Sequence, residues 1–98
     1  MNFGQAIELM KRGERVARSG WNGKGMHVRL AKGQHPLVPS ERTEPLVDGV
    51  ASSLFDFGGK NSPIYMPHFV MRAASGAEVR GWLASQTDML AEDWGIAQ

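Results

Sequence analysis

The sequence predicts an α+β domain: one N-terminal helix packed on a mainly antiparallel β-sheet, with a short C-terminal helix. Three observations predict it. Apolar residues near the N-terminus recur at helical spacing. Apolar and polar residues then alternate at strand spacing in separate stretches, and Gly-rich turns of the kind that join antiparallel strands divide the runs. At 98 residues the chain is expected to form a single domain over 1–98.

Residues 3 to 12 read as the amphipathic helix, because Phe3, Ala6, Ile7 and Met10 form one stripe of a 3.6-residue repeat. Asn2 caps its first turn, Gln5 completes a capping box, and Gly13 offers a left-handed stop. A short strand is expected over 14–18. Trp21-Asn22-Gly23-Lys24-Gly25 then predicts a tight hairpin, since Asn and Gly both tolerate positive φ. Met26, Val28 and Leu30 alternate with His27, Arg29 and Ala31, the period of a strand with one buried face. From Lys32 to Pro63, prolines and glycines punctuate a stretch too long for a plain loop. An extended arm or insertion is expected over 32–63, with Leu54-Phe55-Asp56-Phe57 as its packed piece. Ile64 to Ala73 reads as a strand weakened at Pro67. Ser75-Gly76 turns the chain, and Glu78 to Leu83 returns as the partner strand. Ser85 or Thr87 caps a short helix to about Ala91, and Trp94 to Ala97 is a last strand.

Composition narrows the chemistry. Eleven basic and ten acidic side chains give a net charge of +1, with no basic stripe for a nucleic acid polymer. There are no cysteines, which excludes disulfides and thiolate metal sites. No apolar run approaches the ~20 residues that span a bilayer, so no membrane partner is expected. His27, His35 and His68 lack metal-ligand spacing. The serines lack a nucleophile-elbow context. Glu92 and Asp93 would diverge by about 100° on a helix and make no acid–base pair. No enzyme, metal or cofactor is expected.

Three turns carry the remaining signal. If Val79, Gly81 and Leu83 face the core, Trp82 lies on the opposite face with Glu78 and Arg80. There it serves either a packing contact or as a platform on which a base stacks. Trp21 poses the same choice beside a turn whose glycines let main-chain amides approach a phosphate, with Arg18 and Lys24 adding charge. Ser85-Gln86-Thr87-Asp88 is a helix start that offers free amides to an anion. From spacing alone, a plain hairpin and a plain helix cap are the commoner readings of the last two.

Trp21-Asn22-Gly23-Lys24-Gly25-Met26 and the run from Trp82 to Trp94, with the opening Asn2-Phe3-Gly4-Gln5-Ala6, resemble a family of small phage and prophage proteins. That family includes the second type of Thoeris anti-defence protein. The resemblance covers roughly residues 1–31 and 64–97, and 32–63 do not match. It implies a sponge in the cytoplasm of the infected or lysogenic bacterial host. Such a sponge holds a cyclic ADP-ribose isomer made by Toll/interleukin-receptor-domain sensors without cleaving it, so the effector never fires. Some relatives also hold cyclic oligonucleotides of CBASS-type defence. The resemblance further implies a homotetramer, a dimer of dimers with pockets between subunits. By match to its motifs, Trp21, Asn22, Trp82, Gln86, Thr87 and Asp88 line the pocket. Arg18 and Lys24 are assigned for charge opposite a pyrophosphate, while Asp93 and Trp94 serve either the pocket or the tetramer. A nucleotide-processing enzyme using Asp88 or Asp93 as base, and a structural adaptor, are the competing functions.

Overall fold

The computed structural model describes residues 1–37 and 46–97. Pro39 and Pro45 of the expected arm lie outside the described residues. The chain divides into two compact units, 1–30 with 69–98 and 31–68.

The first unit is built on helix α1 (Phe3–Lys11) and a five-stranded sheet. The expected capping box is present: Asn2 Oδ1 accepts from the Gln5 amide at 2.8 Å, and Gln5 Oε1 accepts from the Asn2 amide at 2.9 Å. The helix ends where Gly13 takes φ +92°. The strands are β1 (Val16–Arg18), β2 (His27–Ala31), β7 (His68–Arg72), β8 (Glu78–Arg80) and β9 (Trp94–Ile96), in the order β8-β7-β2-β1-β9. β1 pairs antiparallel with both β2 and β9, and β7 with β8. Ala6 and Met10 of the helical stripe pack on Val16, Val28, Met71 and Trp94. Complete burial of Met10, Val16, Val28 and Val70 contributes about 1.5–3 kcal/mol for each side chain.

Several expectations change here. Asn22-Gly23 makes no two-residue hairpin: neither residue has positive φ, and residues 19–26 are all needed to link β1 to β2. Gly23 instead makes room, since a Cβ there would overlap Met26. His27 is buried although the alternation puts it opposite Val28. β7 starts only at His68, beyond Pro67, because proline offers no amide to the ladder. Trp82 does not lie opposite the core. The amides of Gly81 and Trp82 both donate to the Phe69 carbonyl, at 2.9 and 3.0 Å, with Gly81 at φ +75°. This two-against-one bulge moves the strand out of phase. Trp82 therefore packs on the core and Leu83 is exposed; Val79, before the bulge, is exposed as well. Helix α2 (Gln86–Leu90) is capped by Ser85 and ends before Glu92 and Asp93, so neither of these is helical.

The second unit holds two small pairings. β3 (Gly33–His35) runs parallel to β6 (Phe55–Phe57), and Tyr65 bridges Gln34 through two bonds of 2.8 and 2.9 Å. Leu54 and Phe55 are buried, and the His35 ring packs against Phe55 and Phe57. β4 (Leu46–Val47) and β5 (Val50–Ala51) form a hairpin around Asp48-Gly49.

Candidate functional site

At one end of the five-stranded sheet, β1, β9 and the 19–26 loop enclose a cleft of about 340 Å³. It is lined by Trp21 and Met26, by the charged pair Arg18 and Asp93, and by the small residues Ala17 and Gly95. Gly23 and Gly25 of the loop border it too. The register sets Ala17 directly against Gly95 and Arg18 against Trp94.

Arg18 and Asp93 also belong to a polar cluster built from three elements. Arg18 Nε donates to Asp93 Oδ1 and Arg18 Nη1 to Asp88 Oδ1, both at 2.8 Å. Asp93 Oδ2 accepts from the Gly20 amide at 2.9 Å, which ties the loop to the last strand. Asp88 also closes the α2 capping box: its amide donates to Ser85 Oγ at 3.0 Å, and its Oδ2 accepts from the Ser85 amide at 3.3 Å. Its Oδ1 takes a longer bond, 3.4 Å, from the Trp21 indole, and its carbonyl accepts from the Trp94 indole at 2.9 Å. The three indoles meet edge to face, Trp21 lying 5.2 Å from Trp94 and 6.3 Å from Trp82 between centroids, a favoured aromatic geometry.

The electrostatics follow from these bonds. Burial pushes the Asp88 carboxyl up, but bonds from Arg18, Ser85 and Trp21 together outweigh it and hold the group below the usual range. The Arg18 guanidinium holds Asp93 down against a smaller burial effect, with help from the Gly20 amide. Arg18 is in turn raised, by its bonds to Asp93 and then Asp88. Both carboxylates are ionised at neutral pH. Two of them against one guanidinium leave the cluster net negative.

Over residues 1–97 the chain matches the family model of the Tad2-like, or Thoeris anti-defense 2-like, domain. It is 38% identical over 98 residues to Thoeris anti-defense 2 of Bacillus phage SP01, covering 98% of this chain and 93% of that protein. The chain belongs to the Tad2-like family.

Of the residues expected to line a pocket in this Tad2-like chain, the structure gathers Arg18, Trp21, Trp82 and Asp88 into one cluster. Arg18 and Trp21 also line the cleft. Asn22 and Lys24 are exposed neighbours of the lining glycines, and Gln86 and Thr87 are exposed on the first turn of α2. Trp94 is buried in the core. Sequence reasoning missed Ala17, Met26 and Gly95, whose shared cleft depends on strand register and loop path. One signal was available, a glycine inside the strand-like run Trp94 to Ala97, since such glycines mark close approaches. Among the described residues no helix is long and apolar enough to cross a membrane, and no three His, Asp or Glu side chains are grouped to hold a metal ion.

Proposed function

We propose that this protein is a phage or prophage anti-defence protein that counters Thoeris immunity by sequestering a nucleotide signal without cleaving it, within the cytoplasm of the bacterial host. The signal is a cyclic ADP-ribose isomer whose glycosidic bond joins its two riboses; cyclic oligonucleotides of CBASS-type defence are further ligands of the same class. One observation carries the reading: in a chain of this family, an indole and a glycine-bordered loop open onto the same cleft. Stacking on an indole is worth about 1–3 kcal/mol per base. Glycines let a phosphate approach main-chain amides, and an ionised Asp93 accepts hydrogen bonds from ribose hydroxyls. The low pKa values of Asp88 and Asp93 support binding over catalysis, because carboxylates held ionised are weak bases and poor acids at neutral pH.

The cleft is at the small end of ligand pockets, which run about 300–1,000 Å³. A second copy is therefore needed to bury a dinucleotide-sized ligand. The proposed assembly is a homotetramer, a dimer of dimers of single-domain protomers. Leu83 and Leu90, 89% and 81% exposed, support such association, since large apolar side chains at a surface favour partners.

Purified protein is mixed with the isomer, freed of unbound ligand and heat-denatured, and the supernatant is analysed by mass spectrometry. Intact isomer released on heating is the expected result. A new nucleotide product means an enzyme, and no retained nucleotide means that the protein is not a sponge. Trp21→Ala is expected to weaken retention by the stacking contribution, since Trp21 is the indole that lines the cleft. Native mass spectrometry reads the assembly.

A further inference from the structure

Three glycines line the cleft, and the fold accounts for two. A Cβ at Gly23 would overlap Met26, and Gly25 has φ +81°. Gly95 has neither reason. It lies inside β9 without positive φ, and its pairing is unbroken between Arg18↔Trp94 and Val16↔Ile96. A Cβ there would meet nothing within 4 Å. Glycine in a strand is destabilising relative to alanine, because it loses more backbone freedom on folding. Its usual reasons are a bulge, a bend or the close approach of a ligand or another backbone. The continuous register excludes a bulge, and the open space excludes a neighbouring backbone of the same chain.

We infer that Gly95 is a specificity-determining residue: beside Ala17 it keeps a flat floor in the cleft that admits the face of a planar ring, the base of a nucleotide. Directly opposed residues of an antiparallel pair share one face of the sheet, so the Ala17 methyl and the bare Gly95 Cα form one shallow surface, in the cleft that Trp21 also lines. A branched side chain at 95 would stand where the ring must lie. The inference rests on the proposed binding function and adds which surface takes the flat side of the ligand.

The test titrates the full chain with the cyclic ADP-ribose isomer by calorimetry, comparing the unsubstituted protein, Gly95→Ala and Gly95→Val. Melting temperature and native mass are measured for each. The expected result is graded: Gly95→Ala binds more weakly, and Gly95→Val loses at least about tenfold in affinity, the scale of one misplaced methylene in a pocket. Melting temperatures hold or rise, since both residues suit a strand better than glycine, and native mass is unchanged. Wild-type affinity in Gly95→Val overturns the inference while leaving the binding function standing. Lost affinity with an altered native mass also overturns it, because the open space then belongs to a subunit contact. If the unsubstituted protein does not bind the isomer, both fall together. Should Gly95→Val not fold, Gly95→Ala decides by the same criteria, and unchanged affinity overturns the inference.

Discussion

In the second unit, Asp48 and Gly49 take φ of 49° and 83° and turn Val47 straight back onto Val50. In the first unit, Asn22-Gly23 also stands between two antiparallel strands, yet neither residue has positive φ and the connection runs from 19 to 26. Both pairs are favoured for two-residue hairpins. The difference lies in what the neighbouring chain must do. At 48–49 the strands need only reverse. At 22–23 the chain must carry Trp21 to its ring contacts with Trp82 and Trp94, bring the Gly20 amide to Asp93, and leave space at Gly23 for Met26. A turn dipeptide permits a geometry, and tertiary contacts decide whether it is used. The loop that departs from its local preference is the one that borders the cleft, where such conflicts are expected.

Substitutions can break this contrast. The largest expected effect is at Gly23→Ala, where the new methyl displaces Met26 and crowds Ala74 at 3.1 Å. Overpacking of this kind costs about 1–3 kcal/mol, readable in urea unfolding. Combining it with Met26→Ala should recover part of the loss, and strict additivity would show that the crowding is not with Met26. Gly49→Ala should cost less, about 1–2 kcal/mol, because φ +83° is left-handed. An equal or larger cost than at Gly23 would reverse the ranking of the two turns.

Acid sharpens the comparison on the cleft side. Asp88 and Asp93 are depressed in the folded chain, so the unfolded chain binds protons first as pH falls. Their stabilisation is complete above the unfolded value of about 4 and is lost below it, as pH falls through the folded values. Asp88→Asn should flatten that acid limb in melting temperature measured against pH. A limb unchanged by the substitution would show that Asp88 does not contribute to it. His27, whose Nδ1 lies 3.2 Å from the Gly25 carbonyl, is lowered mainly by burial. The unfolded chain therefore takes up this proton first, and stability should decline as pH drops below about 6.5 until the folded value is passed. His27→Gln should remove the slope between neutral pH and 5, and an unaltered slope would acquit His27.

The smallest effect is expected at Asn22→Ala. Asn22 is exposed and not at positive φ, so stability should change by less than about 0.5 kcal/mol. A loss above 1 kcal/mol would mean that the Asn-Gly pair is a structural turn after all.

Local chemistry decided a definite part of this molecule. The spacing of Phe3, Ala6, Ile7 and Met10 and the box residues Asn2 and Gln5 were enough for α1, because every partner lies within one or two turns of helix. The Ser75-Gly76 turn is legible for the same reason, as is the start of α2, where local chemistry offers both Ser85 and Thr87 as caps and the structure uses Ser85. The Asp48-Gly49 pair carries the same local turn signal, within a stretch that prolines and glycines punctuate. Tertiary structure alone decided the rest. The bulge at Gly81 set which face Trp82 occupies, and a one-residue change of phase reverses every side chain of a strand. Arg18 reaches Asp88 and Asp93 across 70 and 75 residues of sequence, and Ala17 faces Gly95 only through the β1–β9 register. Hydrogen-bond partners and cavity walls are properties of distance in space, which local spacing encodes within a helix or a turn and does not encode between strands that close the two ends of a chain.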